Sequence, residues 1–196
     1  MKKIDRNNIL LCVGAVCILL ALALAGYNAL RQQRGAQQVQ QGAAALARAL
    51  PTEPQTPELY RLEPELPMPT LELDGQHYLG LLELPTLGLE LPVLADCSDT
   101  LLEYGPCRYA GSAYSGGLVV AGHNYRAVFG PLKQLEPGAP VQFTDTDGHV
   151  FHYTVAALEE LPGTAVEKMQ SGDCPLTLFT CTYGGQNRLT VRCSAA

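Results

Sequence analysis

A chain of 196 residues with a formal net charge of −6 and a mean hydropathy of +0.05 has material for one compact domain and short attachments. Its acidic balance excludes binding through a basic surface, so neither nucleic acid nor an anionic lipid surface is an expected partner of the folded part. The seven cysteines include no Cys-x-x-Cys pair and no Cys/His cluster at zinc spacing, so no metal site is expected.

Lys2, Lys3 and Arg6 precede an apolar run, residues 9–30, broken only by Asn28 and glycines. At about 1.5 Å per residue a helix of that length crosses a hydrocarbon core of about 30 Å. The positive flank predicts a cytoplasmic N-terminus over residues 1–8, with the remainder exported. Ala21-Leu22-Ala23 and Ala23-Leu24-Ala25 offer small-residue cleavage sites. The run is longer than the apolar region of a signal peptide, however, which favours an uncleaved single-pass anchor in the cell membrane.

Residues 31–70 read as a stalk and linker. Arg31 to Leu50 is rich in Gln and Ala, helical by propensity but too poor in apolar residues to be anchored in a core. Pro51, Pro54, Pro57, Pro64, Pro67 and Pro69 then predict an extended, acidic spacer.

Residues 71–196 form the folded domain. Short apolar segments alternate with Gly, Pro and Asp turns, which predicts an all-β fold. Asp147-Gly148 between Val141–Thr144 and Val150–Val155 is a strong hairpin signal. Pro131 to Leu135 suits one or two helical turns, and no repeat of 20–50 residues is visible. His149 and His152 alternate across one strand, so they share no metal site and read as surface or groove-edge histidines. The loop from Leu158 to Leu176 holds Val166 and Met169 in an apolar, flexible mixture; it is either a specificity segment or a plain surface connection.

Two segments carry chemistry. Gly116 to Asn124 is an apolar strand that runs into a small-residue turn and delivers His123 at its end. Leu176 to Arg192 is a hairpin around Gly184-Gly185. An even loop, Gly185-Gln186 or Gly184 to Asn187, sets Tyr183 opposite Arg188 and Cys181 opposite Thr190, so Cys181 and Arg188 are diagonal neighbours on one face. Leu176, Leu178, Leu189 and Val191 then face a core, while Thr177, Phe179, Cys181, Arg188, Thr190 and Arg192 face a groove. A thiol that attacks a carbonyl needs a proton partner and positive charge or N–H donors where the oxyanion develops. His123 and Arg188 are the candidates, against the plainer reading of an inert core cysteine and a structural histidine. Arg192 reads as a solvated strand end. Cys97, Cys107, Cys174, Cys181 and Cys193 lie outside the apolar run; an odd number in an exported chain suits two disulfides and one free thiol, with Cys97 and Cys107 the readiest pair by spacing, and a chain without bridges stays open.

Thr177-Leu178-Phe179-Thr180-Cys181 resembles the TLxTC signature of sortases, the cysteine transpeptidases of Gram-positive cell surfaces, and Arg188 stands where that family has an arginine on the following strand. Leu82 to Val93 resembles the family's first strand pair, Tyr109-Ala110-Gly111-Ser112 with Val119 to Asn124 the segment ending in its histidine, and Phe129 to Leu135 through Val141 the helix and strand that follow. The similarity runs from Tyr78 to Cys193. It implies an eight-stranded sortase-type β-barrel with short helices, behind an N-terminal transmembrane helix and stalk. It also implies Cys181 as nucleophile, His123 as acid/base partner and Arg188 as stabiliser of substrate and oxyanion, with Thr180, Thr182, Val166 and Met169 as substrate-binding positions.

The implied reaction cleaves an LPxTG-like sorting signal through a Cys181 thioester and passes the surface protein to an amine acceptor, lipid II or another surface protein, without metal or organic cofactor. No second span follows Cys193 and the Asp-Pro-aromatic lid motif is missing, which speaks against the pilin-polymerising class. The short loop before Cys174 speaks against the class with a long inserted helix, so the resemblance leans towards class D or an unclassified clostridial type. Two other readings stand beside it. One is a non-catalytic, membrane-tethered barrel that binds surface peptides; the other is a cysteine peptidase or L,D-transpeptidase, whose His-Gly-Cys-x-Arg motif is not present.

Overall fold

The computed structural model describes residues 6–170 and 174–196, and the chain divides into two units, residues 1–35 and 36–196. Helix α1 (Arg6–Ala49) begins in the first unit. From Leu10 to Leu30 it carries no charged side chain and its apolar side chains are exposed; by length and composition it can cross a membrane.

The second unit starts with the remainder of α1, and here the stalk reading is corrected. Val39, Ala43 and Leu46 recur at the spacing of one helical stripe and are buried. Val39 joins the core around Leu91 and Phe129, while Ala43 and Leu46 pack with Tyr78, Leu81 and Leu94. Three small or apolar residues on one stripe suffice, although the composition of residues 31–50 is mostly polar.

The proline-rich segment is likewise no free spacer. It crosses the barrel as a strap: the Gln55 amide donates to the Asp147 carbonyl (2.9 Å), the Thr56 hydroxyl to the Asp147 carboxylate (2.8 Å), and Tyr60 stacks on Tyr114 at 4.5 Å. Met68 is buried at its end. Beneath the strap lies His149, 2% exposed and therefore not the surface histidine expected from alternation. Its Nδ1 is 3.0 Å from Asp145 Oδ2 and its Nε2 3.0 Å from the Thr56 carbonyl oxygen. Asp145, fully buried, also accepts from the Tyr114 hydroxyl (2.7 Å) and the His149 amide (2.8 Å).

The strands are β1 (Leu71–Leu73), β2 (Gln76–Leu84), β3 (Leu89–Leu94), β4 (Cys107–Ser112), β5 (Gly116–Ala121), β6 (Pro140–Asp145), β7 (Val150–Pro162), β8 (Leu176–Cys181) and β9 (Asn187–Ala195). The order β2-β3-β4-β5-β8-β9-β7-β6 closes on itself through β6 and β2, giving an eight-stranded barrel to which β1 adds a short ribbon. Two contacts, β3 with β4 and β5 with β8, are parallel; the others are antiparallel. Closure at β2 depends on Gly80, where a Cβ would stand 2.1 Å from the Thr144 carbonyl oxygen; a side chain there would force β2 and β6 apart.

The expected hairpin at Asp147-Gly148 is present, with Phe143 opposite Phe151. A 3-10 helix covers Gly130–Gln134. Strand β7 extends to Pro162 rather than ending near Leu158, and helix α2 (Val166–Gln170) follows it; residues 171–173 of the expected specificity segment lie outside the described residues. Every cysteine among the described residues is a free thiol.

Candidate active site

Two strand pairings assemble the site at one end of the barrel. In the parallel β5–β8 pair, Leu118 lies beside Leu176 and Ala121 beside Phe179, and the Gly122 amide still donates to the Phe179 carbonyl (3.1 Å). His123 follows the end of β5 by two residues, as Cys181 follows Phe179, the β8 partner of Ala121. In the β8–β9 hairpin, Cys181 is the direct partner of Arg188.

This register differs from the expected one by two residues, since Cys181 faces Arg188 and not Thr190. The loop is Tyr183–Gln186, one position earlier than expected, because Thr182 and Asn187 close it. The Thr182 amide donates to the Asn187 carbonyl (2.9 Å), and the Asn187 amide donates to the Thr182 hydroxyl (3.3 Å). Gly184 and Gly185 take the positive φ values, 92° and 75°, in the middle of that loop. A shift by two preserves parity, so Cys181 and Arg188 keep one face and become adjacent, with Cβ atoms about 4.5–5.5 Å apart in such pairs.

The core face is as read: Leu176, Leu178 and Val191 are fully buried and Leu189 packs against them. The other face is not an open groove along its length. Phe179 packs with Val119, Ala121, Leu161 and Met169, and Thr177 and Thr190 are buried. On this face Cys181 and Arg188 at one end and Arg192 at the other remain partly exposed. Arg192 is no solvated strand end either. It donates to Glu159 Oε1 (2.8 Å), the Thr177 hydroxyl (3.1 Å), the Met169 carbonyl (3.2 Å) and the Lys168 carbonyl, and so fastens the end of α2 to the sheet.

His123 is held by its backbone carbonyl, which accepts from the Phe129 amide (3.1 Å), and by ring contact with Tyr125 at 4.7 Å. Its Nε2 is buried, finds no hydrogen-bond partner among the described residues, and lies 4.0 Å from Glu103 Oε1. Glu103 sits in the 3-10 turn Leu101–Glu103 and was not singled out from sequence, where nothing connects it to His123. Arg188 Nη1 donates to the carbonyls of Gly185 (2.9 Å) and Asn187 (3.1 Å), which fixes the cation over the turn. Gly163 leaves room for it: a Cβ there would lie 3.3 Å from Nη1.

A cleft of about 180 Å³ opens beside Cys181, lined by Asn124, Gly130, Lys133, Glu160, Thr180, Thr182, Tyr183 and Leu189. Of the expected substrate positions, Thr180 and Thr182 line it; the buried Thr180 hydroxyl has no partner among the described residues, whereas Thr182 is engaged in the turn. Val166 and Met169 do not line it, and Met169 is a core residue at 2% exposure because α2 turns it inward. Glu160 belongs to the segment from Leu158 to Leu176 expected to carry specificity and lines the cleft, whereas Lys133, from the 3-10 helix, is not announced as a cleft residue by any local pattern. Among the described residues no three His, Cys, Asp or Glu side chains converge into a cation site.

The sortase domain model matches residues 82–196, more than half of the chain. The fold is similar to a Clostridium perfringens sortase D5 transpeptidase (TM-score 0.58, 16% identity, 82% of this chain and 96% of that one). It is also similar to sortase C-3 of Streptococcus pneumoniae (TM-score 0.56, 22% identity, 84% of each chain) and to sortase E of Streptomyces avermitilis (TM-score 0.52, 27% identity, 61% of this chain and 88% of that one). No curated protein matches the sequence. From a domain match of that extent, on a barrel shared with solved sortases, the chain belongs to the sortase family.

Proposed function

We propose that the protein is a membrane-anchored transpeptidase in which Cys181 is the nucleophile, His123 the acid/base partner and Arg188 the oxyanion stabiliser. The observation that supports this reading is the cross-strand pairing of Cys181 with Arg188, with His123 two residues beyond the end of β5, the strand that pairs with β8.

The steps follow from what each group can do. The Cys181 thiolate adds to the carbonyl of a substrate amide, and the negative charge that develops on oxygen is met by the fixed guanidinium of Arg188. His123, protonated, donates to the departing amine nitrogen as the tetrahedral adduct collapses to a thioester. An incoming amine gives up its proton to the neutral imidazole and attacks the thioester, releasing Cys181. The unpartnered Nε2 supports this use, because a ring nitrogen already engaged by the protein would have to be freed first.

Family membership supports an LPxTG-like sorting signal as the donor and lipid II or another surface amine as the acceptor. The short loop before Cys174 and the Gly184-Gly185 turn after Cys181 support a class D-like or unclassified clostridial-type enzyme. The apolar stretch of α1 supports a single-pass anchor with residues 1–8 cytoplasmic, residues 9–30 in the membrane, and the domain extracellular. The test is product analysis: the full chain in detergent is incubated with LPxTG-like peptides and triglycine. Formation of the peptide–triglycine conjugate supports the reading. Hydrolysis alone points to a peptidase, and an unreactive Cys181 with peptide binding points to a binding module.

A further inference from the structure

A pair of thiols lies outside the cleft. Strand β3 ends at Leu94, which pairs with Cys107, the first residue of β4. The two chains stay side by side there: the Leu94 amide donates to the Pro106 carbonyl (2.8 Å) and Arg108 Nε to the Ala95 carbonyl (2.9 Å). The Cys107 thiol lies 3.6 Å from the Gly105 carbonyl oxygen and interacts with the Cys97 thiol, which the chain places just beyond the end of β3. Cys107 is fully buried, whereas Cys97 is exposed. The loop they bracket carries the Leu101–Glu103 turn. Leu102 packs against two core clusters, and the Glu103 carboxylate stands 4.0 Å from His123 Nε2.

We propose that Cys97 and Cys107 are a disulfide-forming pair, and that the bond between them clamps the Leu101–Glu103 turn beside His123. The oxidant is a disulfide, either a small molecule or the active disulfide of a thiol oxidoreductase. The exposed Cys97 attacks one sulfur of R–S–S–R; the donor S–S bond breaks, a mixed disulfide forms, and RSH leaves with the Cys97 proton. Cys107 then attacks the Cys97 sulfur of the mixed disulfide, its proton departs with the second RSH, and the two cysteines are oxidised as the donor is reduced to two thiols. The division of labour suits the surroundings: the Cys107 hydrogen bond holds the Cys97 thiol below the usual thiol range, and Cys107 itself is pushed up by that contact and by burial. Cys181 takes no part, so the nucleophile stays free.

The clamp deepens the catalytic reading of His123, while the bond itself does not depend on it. The full chain in detergent is incubated with oxidised glutathione, alkylated and mapped by mass spectrometry. The expected result is a Cys97–Cys107 linked peptide lighter by two hydrogens, with Cys181 alkylated. Hydrogen exchange at residues 98–106 should slow about tenfold and recover on adding dithiothreitol. Alkylation of both Cys97 and Cys107 in a folded, oxidant-treated chain overturns the proposal. So does the same slowing in Cys97→Ser, an exposed substitution that leaves the barrel intact. The clamp is read on the His123 ring by NMR, without turnover: its ring proton resonances should move on oxidation, and not in Cys97→Ser. Unchanged His123 ring resonances on oxidation overturn the clamp and leave the question of catalysis to the peptide assay.

Discussion

Cys181 and Arg188 are direct cross-strand partners, and the guanidinium of Arg188 is tied to the carbonyls of Gly185 and Asn187 in the loop that joins their strands. Thiol and cation are thereby fixed by the same hairpin. In the proposed mechanism no rearrangement is needed to bring positive charge to the carbonyl under attack, which is the condition under which an oxyanion donor is most effective.

Arg188→Lys tests that arrangement. An ammonium keeps the charge but lacks the planar fork that holds one nitrogen on the turn while the others face the substrate. Turnover should fall about 100-fold, the scale of losing one oxyanion donor, with little change in melting temperature. The measurement is kcat for peptide transfer alongside thermal unfolding.

His123→Ala removes the proton donor and leaves β5 in place. Thioester formation should fall by about 10²- to 10⁴-fold, read by single-turnover mass spectrometry, while alkylation of Cys181 by iodoacetamide continues.

The strap over His149 predicts a pH dependence of stability. Both partners of the ring, the Asp145 carboxylate and the Thr56 carbonyl, only accept hydrogen bonds, so the geometry calls for a doubly protonated imidazolium. Burial pushes its pKa down. The hydrogen bonds to Asp145 and Thr56 and the charges of Asp145 and Asp147 outweigh that, and the net direction is up. Tyr60 and Tyr114 face it from the strap and the barrel without adding charge, and Glu58 adds to the negative field. A raised folded pKa gives stability that is complete below the unfolded value of about 6.5 and is lost as pH rises through the folded value. Melting temperature should therefore decline as pH is raised through that window. His149→Leu, which leaves Asp145 charged and buried, should cost about 3 kcal/mol at pH 6 and flatten the profile.

Leu46 tests whether the end of α1 is part of the domain. It is fully buried against Tyr78, Leu81 and Leu94, so Leu46→Ala should lower unfolding free energy by about 3 kcal/mol in urea titration. Exposed Gln41→Ala should change it by less than about 0.5 kcal/mol.

Much of the barrel was legible because its signals are local. Alternation and the Asp147-Gly148 turn located β6 and β7, and the Thr177–Cys181 motif with Arg188 located β8 and β9. Parity put Cys181 and Arg188 on one face, while the register itself depended on hydrogen bonds between Thr182 and Asn187 that alternation does not encode. What sequence hid is what only closure brings together: Val39 and Leu46 on the barrel, Thr56 on His149, Glu103 near His123, and Lys133 in the cleft. Met169 was read as a pocket residue because an apolar side chain in a loop looks available, and α2 folds it into the core.

The most direct measurement is the intact mass of the full chain in detergent after brief exposure to LPxTG-like peptides, before and after adding triglycine. The account predicts an acyl adduct on Cys181 that is absent in Cys181→Ala and is discharged by the amine as a conjugate. An adduct that persists in Cys181→Ala, or one that water releases and the amine never captures, would contradict it.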